Sequence, residues 1–88
     1  MEPDKYILDK IQDMASSLMQ PREIAILLDL DPDSFEHEIN HNTYSEIFKH
    51  YNKGRLQTKL DLRKKIIKLA IAGSPQAEVL ADKYINQK

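Results

Sequence analysis

The chain has no cysteine, so neither a disulfide framework nor a thiolate zinc knuckle can hold it together. Glycine is scarce too, with two residues, Gly54 and Gly73, and no glycine-rich loop of the kind that cradles phosphates. No apolar run approaches the roughly 18 residues of a membrane span. The stretch from Met1 to Lys10 lacks the apolar segment of a signal peptide. A cytoplasmic location without membrane contact is therefore expected. Repeats, low-complexity tracts and strand-like alternation are also missing. What remains for stability is helix packing and association with other chains. A chain of 88 residues buries only about 60–65% of the surface it exposes when unfolded, so its core is marginal.

Hydrophobic residues make up 41% of the chain and charged residues 31%, which fits a folded domain rather than a disordered one. The length allows one domain, 1–88, with an acidic part over 1–42 and a basic part over 43–88. The net charge of −1 conceals this division. Residues 1–46 hold three bases against eleven acids, and residues 47–88 hold ten bases against three acids. Eight bases (Lys49, Lys53, Arg55, Lys59, Arg63, Lys64, Lys65 and Lys68) fall within twenty residues, with Asp61 the one acid among them. Such a dipolar chain suggests a polyanion-binding half beside an acidic half. A solvated helix face would carry the same composition.

Apolar residues recur at steps of three and four throughout, which predicts an all-α fold. Ile7, Leu8, Ile11, Met14, Ala15 and Leu18 form the stripe of a first helix from about Asp4 to Met19. Pro21 opens a second, with Ile24, Ala25, Leu27 and Leu28 inward. Asp31 and Pro32 cap and start a third, running to about Asn40, with Phe35 and Ile39 inward. Thr43 with Glu46 reads as a capping box for a long basic helix that continues to Ile71, with Tyr44, Phe48 and Tyr51 on its core side. Gly54 is its interior weak point, where a bend or short break is expected. Gly73 stops it, and Ser74-Pro75 begins a last helix to about Ile85, with Ala77, Leu80, Ala81 and Tyr84 inward. The apolar positions from Leu56 to Ile71 span about 200° of helix surface, an arc that must be covered on two sides.

His37-Glu38-Ile39-Asn40-His41 matches the HExxH pattern, in which two histidines one turn apart bind zinc and the glutamate activates water. A catalytic zinc needs a third protein ligand, and Tyr44 and Ile47 occupy the places where the longer motif has glycine and histidine. No other nucleophile or base assembles, so no catalytic residue, metal or cofactor is expected. His50 reads as a helix-surface residue.

Glu23-Ile24-Ala25, then Asp29-Leu30, then Phe35 resembles the helix-turn-helix of DNA-binding proteins, where a small residue lets two helices cross closely. Two positions depart from that pattern: Asp29 stands where glycine is usual, and the last apolar anchor, Ile39, comes one place late. Ser34, His37 and Asn40 would face the groove, beside Asp33, Glu36 and Glu38, which repel phosphates. Further on, Tyr51, Gly54-Arg55, Thr58-Lys59, Leu62-Arg63, Leu69-Ala70, Gly73-Ser74-Pro75 and Ala77 resemble a pattern in small phage and prophage DNA-binding proteins, the terminase small subunits. The combined resemblance runs from about Ala15 to Tyr84. It implies an N-terminal helix-turn-helix, assembly into rings, a bacterial host cell, and delivery of viral DNA to a terminase large subunit that carries the ATPase and nuclease. Contacts with double-stranded DNA are expected mainly from Lys53, Arg55, Lys59, Arg63, Lys64, Lys65 and Lys68, which would fix phosphates with little sequence choice. The charge division further predicts a head-to-tail homo-oligomer. A protein-interaction module and a helix-turn-helix transcription regulator are the alternatives.

Overall fold

The five helices that spacing predicts appear in the computed structural model, which describes residues 3–87. They are α1 (Lys5–Ser16), α2 (Pro21–Leu27), α3 (Pro32–His41), α4 (Glu46–Ile71) and α5 (Pro75–Ile85), with no strand among the described residues. The architecture is all-α. No helix of the described residues is long and apolar enough to cross a membrane.

Each helix start has a side chain that answers an orphan backbone N–H. Asp4 accepts from Ile7 at 2.9 Å, Asp31 from Ser34 at 3.3 Å, and Ser74 from Ala77 at 3.4 Å. At α2 the roles are reversed, and the Glu23 carboxylate accepts from the Gln20 N–H at 2.8 Å. The cap of α4 corrects the sequence expectation. It is Ser45, whose hydroxyl accepts from the Phe48 N–H at 3.0 Å, not Thr43.

Three helices end in the same way. Leu18, Asp29 and Gly73 follow α1, α2 and α4 with φ of 63°, 58° and 102°. After each of them the chain bonds back to the helix in the paired Schellman pattern. The N–H groups of Met19, Leu30 and Ser74 donate to the carbonyls of Met14, Ala25 and Leu69. Only at the third position is the left-handed residue a glycine.

The chain divides into two compact units, one up to Thr58 and one from Lys59 onward, the division falling within α4. The first unit has a closed core of Ile11, Ala15, Ile24, Ala25, Phe35, Ile39 and Ile47. Ile7, Leu8, Met14, Met19, Leu28, Leu30, Phe48 and Tyr51 pack around it. Leu27 and Leu18, expected inward, are exposed, and so is Tyr44, which lies in the turn before α4. Helix α4 passes through Gly54 without a break, because the glycine serves a crossing rather than a bend. A Cβ at Gly54 would overlap the Gln12 carbonyl oxygen of α1 and meet the Ala15 Cβ at 3.0 Å. The same crossing satisfies the open end of α1: the Thr58 hydroxyl donates to the Ser16 carbonyl, and the Arg55 guanidinium to that of Met19 at 3.5 Å.

The second unit is a helical hairpin of the later part of α4 and α5. Ala77 is its one buried residue among those described. Arg63 lies over the Tyr84 ring, 4.5 Å from its centroid, and donates to Gln87 at 2.6 Å. Leu80, expected inward, is exposed, as are Leu60, Leu62, Ile67, Leu69, Ile71, Val79 and Ile85.

Candidate nucleic-acid interface

The bases expected to hold DNA are sorted by the helix they stand on. At 100° per residue, Lys64, Lys65 and Lys68 fall within about 100° of one another. Their line lies opposite that of Arg63, Ile66 and Ala70, the residues of this part of α4 that are half-buried. All three lysines are exposed. Lys64 and Lys68 stand about 6 Å apart along the axis, close to two phosphate steps of about 3.4 Å on one strand of a duplex. Asp61 shares this face, leaving three bases to one acid.

Lys59 and Arg63 of the same unit are not on this face. Lys59 is exposed, but it falls on the line of Arg63 and Ala70, half a turn from Lys68. Arg63 is turned onto Tyr84 and Gln87. In the first unit Lys53 is exposed, whereas Arg55 is half-buried, with its guanidinium 5.7 Å from the Tyr51 ring centroid and bonded to Met19. Both arginines therefore already have partners within their own unit. Planar guanidinium groups stack on aromatic rings in a way that ammonium groups do not, and the fold has drawn them in.

Helix α3 presents a different surface. The Ser34 hydroxyl donates to the Asp31 carboxylate at 2.6 Å and belongs to the helix cap. That bond holds the Asp31 carboxyl below its usual range, against a smaller opposing effect of desolvation. His37 and Asn40 are exposed. Sequence reasoning missed Arg22, which joins α2 to α3. Its guanidinium lies 2.6 Å from the Asp33 carboxylate and 3.7 Å from that of Glu36. The hydrogen bond and charge of Asp33 hold Arg22 further toward its charged form. Two of the three acids that oppose phosphate binding thus share one counter-charge. The spacing of Arg22 from Asp33 signals this only once the α2–α3 turn is known. Glu38 accepts from the Asn42 side chain at 3.0 Å.

The His37 and His41 rings lie 4.5 Å apart between centroids. Among the described residues no group of three or more His, Cys, Asp or Glu is placed to hold a metal ion. His50 is half-buried rather than on the open surface, its Nδ1 2.8 Å from the Glu46 carbonyl oxygen.

The chain matches no family model, no curated protein and no solved structure.

Proposed function

We propose that this chain is a non-enzymatic adaptor that binds double-stranded DNA, of the phage type that the terminase small subunits represent. In that reading it recognises viral DNA for packaging, and the ATP-driven nuclease chemistry belongs to a separate large subunit. The observation that carries it is the exposed lysine face of α4, Lys64, Lys65 and Lys68, on a hairpin with more bases than its fold uses. Lysines in this arrangement hold phosphates as point charges and release counterions. They give affinity and register rather than base choice. The α2–α3 pair, with its tight turn at Asp29, supports the reading as a second element. Its acids, partly offset by Arg22, make it a poor sole reader of a groove.

Fluorescence anisotropy on two duplexes of unrelated sequence, in rising salt, tests the proposal. The variant Lys64→Glu with Lys68→Glu should weaken binding to both duplexes alike. The slope of log affinity against log salt should flatten by about 0.9 for each phosphate no longer held. Unchanged affinity and slope in the double variant would remove DNA from this face.

A protein-interaction module is the second reading. It is favoured by the apolar side chains that the hairpin leaves in water, Ile71 at 83% and Ile85 at 78% exposure among them.

A further inference from the structure

In the first unit a cavity of about 270 Å³ is lined by Leu30, Phe35 and Ile47 together with Asp31, Ser34 and Glu38. Its floor is apolar and firm, since Phe35 and Ile47 belong to the buried core and Leu30 packs against it. Its polar side is acidic. Asp31 is bonded to Ser34 and Glu38 to Asn42, both uncharged side chains, and the Arg22 charge acts on Asp31 as well. An apolar floor with two carboxylates beside it selects an apolar side chain carried next to a base.

The second unit carries such a group. Ile71 ends α4 and is 83% exposed. On the helix, Ile67 and Ile71 form one line and Lys64 and Lys68 a parallel line about 60° away. We infer that the cavity is the docking site for the end of α4 of a second copy of this chain. Ile71 fills it, and Lys68 faces Asp31 and Glu38.

Charge selects this occupant. Residues 1–58 hold six bases against eleven acids, and residues 59–88 hold seven bases against three acids. A two-fold contact between hairpins would bring the lysine lines together, whereas cavity against hairpin sets opposite charges face to face. The contact is heterologous and repeats from copy to copy, into a ring or a filament according to its rotation. The apolar side chain supplies most of the binding energy, and the charges set register and on-rate. The inference stands on the cavity and not on DNA binding, and it is measured with no DNA present.

Sedimentation velocity over a range of protein concentrations at low salt is the test. The mass should rise with concentration and fall as salt is added. Ile71→Glu and Glu38→Lys, both away from the core and checked for helix content, should each weaken association by about tenfold or more. Lys68→Glu should also weaken it, and combining Lys68→Glu with Glu38→Lys in one chain should restore it. Mixing Ile71→Glu chains, whose cavity is intact, with Glu38→Lys chains, whose Ile71 is intact, should give one-to-one pairs and nothing larger. A monomer at every concentration in low salt would overturn the inference. Association that Glu38→Lys leaves unmoved would overturn it as well, by placing the contact on the hairpins alone.

Discussion

Asp29 has to adopt a backbone conformation that suits it poorly. Left-handed φ costs an L-residue roughly 1–2 kcal/mol, less for aspartate, whose short side chain tolerates it. A carboxylate just past the end of α2 also faces the negative end of the helix dipole. Glycine would remove both penalties and lose about 0.5–1 kcal/mol to chain entropy. The balance predicts that Asp29→Gly stabilises the protein by about 0.5–1 kcal/mol and Asp29→Ala destabilises it, read as opposite shifts in the thermal midpoint. If both substitutions move the midpoint the same way, the strain argument fails. Leu18, in the same conformation, offers no such gain. Its side chain is about half covered, and exposing that apolar surface offsets the relief. The bases show the same dependence on surroundings. Arg55 and Arg63 read from composition as phosphate contacts equal to any lysine, yet each stacks near a tyrosine and bonds within its unit. A count of positive residues cannot separate those two from Lys64 and Lys68, because the separation depends on which way each side chain leaves the helix.

Helix α4 is legible from sequence in outline and departs from expectation at two points, both for reasons outside the helix. Thr43 with Glu46 satisfies the capping-box pattern, but α3 extends to His41, and the Ser45 N–H then donates to the Asn42 carbonyl at 3.2 Å. That turn uses Thr43 and Tyr44 as its middle residues, so the helix begins after Ser45 and Tyr44 is left in water. Gly54 suggests a break because glycine weakens a helix by about 1 kcal/mol relative to alanine. It is present because the backbone of α1 crosses there. Gly54→Ala sets two effects against each other: about 1 kcal/mol of helix propensity in its favour, against about 1–3 kcal/mol of overpacking. The obstacle is a backbone carbonyl that cannot swing aside, so the clash should win. Denaturant unfolding should show a net destabilisation of up to about 2 kcal/mol. A stabilised variant would mean that α1 and α4 do not cross at this point.

The two units differ in how much of their apolar surface they hide, and their stability should differ accordingly. The first closes a core of seven buried side chains, while the hairpin buries Ala77 and leaves its larger aliphatic groups in water. Isolated helices of this length are marginal, and sparse burial means a low cost of local opening. Hydrogen exchange at low protein concentration should show amides of Ile66 to Tyr84 at least about tenfold less protected than those of Ile24 and Phe35, a difference of about 1.4 kcal/mol. Equal protection in the two units would contradict this. The sequence alone determined the all-α class, the order of the helices and most of their caps, because helical period, proline placement and capping chemistry act over a few residues. It also determined the split of charge between acidic and basic stretches, which is a matter of counting. Only the tertiary structure decided which bases stay on the surface, why Gly54 is a glycine, that Arg22 bridges to Asp33 and Glu36, and that Leu30, Phe35 and Ile47 line a cavity beside two carboxylates. Each of these joins residues from different helices, and no local spacing encodes the distance at which two helices cross.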